Sequence, residues 1–307
     1  MIKSITVTNY LGDSIKLVLR EPRQTGFLVT SVTGLGPAKA TINTTNISTN
    51  DGSLYNSARM SQRNIVLNLK FVESYDGENI EDIRQKSYKF FPVKKKVELV
   101  IETDNRKVKT TGYVEHNEPN IFSKAESTQI SIICPDPYFY RADGYEKDVT
   151  DFYMVEPSFE FPFSNESVIE PLLTFGEIQA MTEGVVIYNG DGEVGVTIRI
   201  HAVGGADNVS IYDIRTMKRM IINTEKLAVL TGKGITGGDE IVINTSKGAK
   251  SITLIRDGKE YNILNCLGRN THWFVLTKGD NLFAFDADDG ITNLQFSIEN
   301  EVIYEGV

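Results

Sequence analysis

The chain has 307 residues, 40% of them hydrophobic and 24% charged, with a net charge of −9 at pH 7 and a pI near 5.0. That length suits about two domains, and a chain of this size buries a core without help from disulfides or metals. The acidic balance argues against a nucleic-acid binder, whose affinity comes from clustered Lys and Arg that displace counterions, and no run approaches the ~18 consecutive apolar residues of a membrane helix.

The first residues alternate polar and apolar. Residues 4–8 and 14–19 read as strands joined at Gly12-Asp13. Met1 to Tyr10 has no charged segment followed by an apolar run, so no secretory signal is expected there. Residues 26–32 form another strand, ended by Gly34-Leu35-Gly36-Pro37. Residues 38–55 then turn rich in Thr and Asn and poor in large apolar side chains. Thr and Ile favour extended backbone, yet too little here is apolar to build a core. Such a segment is either a loop or an arm that needs a partner surface.

Strict alternation resumes at residues 63–71. One helix follows: Asn79 as cap, Glu81 and Asp82 in the first turn, Ile80, Ile83, Phe90 and Phe91 on one face, Lys86 and Lys89 toward the end, and Pro92 as the stop. Residues 96–102 and 106–115 read as a hairpin through Asp104-Asn105. A strand at 127–134 leads into Pro135-Asp136-Pro137, which forbids helix and central strand. The acidic, polar stretch beyond it marks a boundary, giving domains at 1–141 and 156–307 with a linker at 142–155.

The second half reads as almost purely strand. Candidate strands lie at 159–163, 194–202, 208–212, 217–222, 240–244, 251–256, 274–276, 281–286 and 292–299, separated by Gly, Asp and Asn turns. That rhythm predicts a β-sandwich or jelly roll. The fold class is therefore mostly β: an N-terminal domain with one helix, then a sandwich.

No catalytic constellation stands out. His116, His201 and His272 are isolated from one another and lack ligand spacing. Cys134 and Cys266 are too far apart in sequence for a metal motif and read as two half-buried thiols in separate domains. The Gly232-Lys233-Gly234-Ile235-Thr236-Gly237 run lacks the ending of a P-loop and reads as a β-hairpin loop. Asp286, Asp288 and Asp289 precede Gly290, but Phe296 stands where a calcium loop closes with Glu. Trp273 reads as core rather than as a sugar platform. The Lys94-Lys95-Lys96 run reads as a solvated helix end. No catalytic, cofactor or metal site is expected.

Several stretches taken in order carry a family likeness. Gly34-Leu35-Gly36 before the Thr/Asn-rich segment, the alternating strand at 64–71, and Ile132-Ile133-Cys134-Pro135-Asp136-Pro137-Tyr138-Phe139-Tyr140 resemble the distal tail protein (Dit) family of long-tailed, siphovirus-type bacteriophages. So do Phe161-Pro162-Phe163, Asn189-Gly190-Asp191, the run from Gly238 to Thr245 and that from Leu276 to Asn281. The resemblance spans nearly the whole chain, although residues 224–237 depart from the pattern.

The resemblance implies a β-barrel-like N-terminal domain with one helix and a galectin-like C-terminal β-sandwich. It implies no enzyme and no cofactor. The expected role is structural, in the virion tail tip of a phage, prophage or tailocin made in a bacterial host cytoplasm. A hexameric ring would join the tail tube protein to the tail-tip hub or baseplate, which carries the tail-associated lysin or receptor-binding protein. The alternative is a carbohydrate-binding β-sandwich module in a surface-recognition assembly. Residues 38–55 suit an arm between ring subunits, with Ile42, Thr44, Thr45, Ile47 and Tyr55 as the expected interface. An acidic chain also suits a channel through which DNA slides without sticking.

Overall fold

The computed structural model describes residues 1–48, 51–156 and 177–307. The strand expected at 159–163, and with it Phe161-Pro162-Phe163, lies outside them. The chain forms two compact units: residues 1–146 together with 303–307, and residues 147–302. Both are built mainly of antiparallel strands, so the mostly-β expectation holds.

The first unit contains β1 (Ile2–Asn9), β2 (Ser14–Val18), β3 (Phe27–Thr33), β4 (Ala40–Asn46), β5 (Ser53–Met60), β6 (Arg63–Phe71), β7 (Lys96–Thr103), β8 (Lys107–Pro119), β9 (Ser127–Cys134) and β10 (Phe139–Arg141). Its main sheet runs β2-β1-β7-β8-β9-β6-β3, and β10 pairs with β8 and with Ile303–Tyr304, the last strand of the chain. The end strands β2 and β3 lie close together without a shared ladder, so the barrel-like sheet stops short of closure.

Alternation sets which side faces the core. Ile65, Leu67, Leu69 and Phe71 of β6 point inward, as do Val97, Leu99 and Ile101 of β7 and Ile130, Ile132 and Cys134 of β9. Each such side chain, once fully buried, stabilises the unit by about 1.5–3 kcal/mol. The helix α1 (Ile80–Phe90) packs on β1 and β6 through buried Ile83 and Phe90. It starts with a capping box: Asn79 accepts from the Asp82 N–H and the Asp82 carboxylate accepts from the Asn79 N–H. Each of these bonds satisfies a backbone donor that the helix start leaves unpaired.

The second unit contains β11 (Lys147–Asp151), β12 (Tyr153–Glu156), β13 (Glu177–Ala180), β14 (Glu183–Tyr188), β15 (Val194–Ala202), β16 (Ser210–Asp213), β17 (Lys218–Ile221), β18 (Glu240–Asn244), β19 (Ser251–Arg256), β20 (Lys259–Asn262), β21 (Val275–Leu276), β22 (Gly279–Asp286) and β23 (Leu294–Glu301). One sheet is ordered β11-β23-β15-β18-β19-β20, with β21 on β15; a second is β14-β22-β16-β17. Phe285 of β22 stacks on Phe296 of β23 at 4.1 Å between ring centroids, and Phe152 meets Phe285 edge-on at 4.8 Å. These contacts join the two sheets face to face, as in a sandwich.

The first unit holds one α-helix among its described residues, as expected; the reading of the second half as almost purely strand needs a correction, because a second helix, α2 (Thr224–Thr231), lies there. The Asn223 side chain accepts from the Lys226 N–H to start it, and Gly232, at φ +85°, ends it in the left-handed region. The glycine run that follows is therefore the exit from a helix and not a hairpin loop. The Arg256–Asp239 ion pair pins that exit. Arg256 Nε donates to Asp239 Oδ1 at 2.7 Å and Nη2 to Oδ2 at 2.5 Å, while Nη2 also reaches the Gly234 carbonyl. Burial pushes the Asp239 carboxyl up, but Arg256 and the Thr236 N–H and hydroxyl outweigh it and hold the group below the ordinary carboxylate range.

Candidate assembly surface

Residues 38–55 do not form a lone extended arm. β4 and β5 pair antiparallel into a two-stranded sheet that joins no other sheet among the described residues. It runs on to Met60, past the expected end at Tyr55. The register places Ala40 opposite Met60 and Ile42 opposite Ala58. A bulge at Asn43/Thr44 takes up Asn56, beyond which Thr44 faces Tyr55 and Thr45 faces Leu54.

That register sorts the side chains. One face presents Ala40, Ile42, Ala58 and Met60, continued by Thr44 and Tyr55. The other is mainly polar, with Thr41 bonded to Ser61 at 3.1 Å and Asn43 to Ser57 at 3.0 Å, while Asn56 donates to Thr45 at 2.6 Å; exposed Leu54, opposite Thr45, also lies on it. Ile42 is 62% exposed and Tyr55 63%. Of the expected interface residues, Ile42, Thr44 and Tyr55 share the apolar face, Thr45 bonds Asn56, and Ile47 lies exposed just beyond β4.

An isolated two-stranded sheet is marginal in water. Here the inner backbone rows are paired and the outer edges of both strands remain open to a further strand. The hairpin leaves the unit through a tight stem. Gly34 has φ +83°, and a Cβ there would lie 2.0 Å from the Asn64 carbonyl oxygen, so only glycine fits.

The groups weighed for chemistry are scattered. His116 contacts Glu118 at 3.4 Å on an exposed strand, and His201 faces Glu240 and Gln295 across β15. His272 packs edge-on to Phe274, where burial lowers its pKa. Asp288 accepts from Asn208 at 2.8 Å, and Asp289 from the Gly290 N–H. Among the described residues no group of three or more His, Cys, Asp or Glu is placed to hold a metal ion. Trp273 is half-buried beneath the Lys250 ammonium, 5.4 Å from its ring, and not core as expected. Cys134 and Cys266 are free and fully buried, not half-buried, with burial raising both thiol pKa values. No helix among the described residues is long and apolar enough to cross a membrane.

No protein-family model matches the sequence, and no curated protein does. Among solved structures, the chain shares its fold with the Dit (gp 19.1) protein of phage SPP1, described as a paradigm of the hub adsorption apparatus in phages infecting Gram-positive bacteria. The TM-score is 0.64 at 13% identity, over 97% of this chain and 98% of that one. Chains of the phage P2 baseplate in its activated conformation, with calcium and with strontium, align at TM-scores of 0.45 and 0.41 and 12% identity. They cover 100% and 96% of this chain and 100% and 97% of theirs, too loosely to bear on the fold.

Proposed function

We propose that this chain is a structural subunit of a phage-type tail tip. Six copies form a ring that joins the tail tube protein to the tail-tip hub or baseplate, and the β4–β5 hairpin of each copy lies on the next. The chain acts there by assembly and not by catalysis, in the virion. The observation that carries this reading is the hairpin: an apolar face and two open strand edges built on a segment with no core of its own. The fold shared with SPP1 Dit supports the placement in a tail. A ring contact between unlike patches of one chain closes when its rotation divides a full turn, which leaves no hairpin exposed.

The first unit holds 19 Lys and Arg against 18 Asp and Glu, and the second holds 13 against 23. The acidity therefore belongs to the second unit. A channel lined by the first unit is close to neutral, which also favours passage of DNA without capture. The test is to replace residues 40–60 by a short Gly/Ser turn and compare mass by light scattering over a concentration series. The parent should assemble and the hairpin-less chain should stay monomeric while folded. Equal assembly of both would end the proposal.

A further inference from the structure

We infer that Arg63 is the residue that aims the hairpin, a role that rests on the ring reading above. Arg63 is 2% exposed, and its guanidinium makes five hydrogen bonds, all to backbone carbonyls. Nη1 donates to the Gly34 and Gly36 carbonyls at 2.6 and 2.5 Å. Nε and Nη2 donate to Pro137 at 2.9 and 2.6 Å, and Nη2 also to Glu305 at 2.6 Å. Its Cζ sits 4.2 Å from the centre of the Phe139 ring.

The geometry joins both stems of the hairpin. Gly34 and Gly36 lie on the chain entering β4, and Arg63 opens β6 two residues after Ser61, whose N–H meets the Lys39 carbonyl at the hairpin base. The same guanidinium ties that base to the turn before β10 and to the chain after Ile303–Tyr304, where the Val307 N–H also bonds the Leu35 carbonyl. A planar fork with five donors holds several carbonyls in fixed directions; an ammonium with three donors on a flexible stem does not. Arg63 therefore acts on assembly through the hairpin's direction, although its side chain is buried within the subunit.

The test measures hairpin direction in the isolated subunit. Cysteines introduced as Thr45→Cys on the hairpin and Gln85→Cys on α1 take spin labels selectively, because Cys134 and Cys266 are buried. Pulsed spin–spin distance measurements on the dilute full chain should give one narrow distribution. Arg63→Lys should broaden it while circular dichroism stays unchanged, and should raise the concentration needed for ring formation about tenfold or more, the equivalent of 1.4 kcal/mol. Should Arg63→Lys fail to fold, a chain ending at Tyr304 removes the Glu305 acceptor together with the Val307–Leu35 bond, and one ending at Gly306 removes only that bond; the first should broaden the distribution more than the second, and equal distributions would overturn the inference. A folded Arg63→Lys chain with the parent's narrow distribution would show that Arg63 only stabilises the unit, and would overturn the inference. A broadened distribution with rings unaffected would keep the aiming role and count against the hairpin as the ring contact.

Discussion

Replacing Ile42 and Ile47 with Asp isolates the hairpin's contribution to assembly from its contribution to folding. Ile42 is 62% exposed and Ile47 43% in the single chain, so neither holds the subunit together. Exposed substitutions of this kind change stability by about 0.5 kcal/mol or less. In a ring contact, burying the exposed part of Ile42 contributes about 1–2 kcal/mol and that of Ile47 about 1 kcal/mol, given 1.5–3 kcal/mol for complete burial. The double change removes those contributions and forces two carboxylates to lose water, so each contact weakens by about 3 kcal/mol or more, over 100-fold in affinity. A ring of six repeats this loss at every contact. Sedimentation analysis should find the variant monomeric where the parent is a ring, with unchanged circular dichroism and melting. Thr41→Asp, on the face opposite Ile42 and away from its apolar neighbours, serves as the control and should weaken assembly far less. Assembly of the double variant at the parent's concentrations, or an equal effect of Thr41→Asp, would refute the reasoning.

Two further outcomes concern the subunit itself. The Asp239 carboxyl titrates below its unfolded value near 4, so its stabilising effect is complete above that pH and is lost as pH falls through the folded pKa. Asp239→Asn should therefore lower stability at pH 7 by about 3–5 kcal/mol, the cost of leaving Arg256 without its buried partner, and should flatten the acid limb of the melting curve below about pH 4. Limited proteolysis should cut within residues 142–146, between β10 and β11, and the two fragments should stay together until denatured, because residues 303–307 belong to the first unit while their chain continues from the second.

Much of the fold is readable from alternation. The strands at 127–134, 194–202, 240–244 and 251–256 coincide with β9, β15, β18 and β19, where one face is buried and the period of two is clean. α1 was legible because its cap, charges and stop all agree. α2 was not: Thr224, Val229 and Thr231 favour strand, and the helix shows only in Asn223 and Gly232 set nine residues apart.

The hairpin partner was missed because its apolar residues are few and a bulge shifts their spacing, so that β5 carries no regular alternation. Arg63 gave no signal at all. A buried arginine that bonds only backbone carbonyls has no partner residue type to find in a sequence, and its acceptors lie as far away as Glu305.

Electron microscopy of the purified full chain across a rising concentration series shows whether the ring closes. Discrete six-fold rings are expected, with class averages in which each hairpin lies on the next subunit. Monomers throughout the series, open filaments, or rings in which β4 and β5 touch no neighbour would contradict the proposed ring.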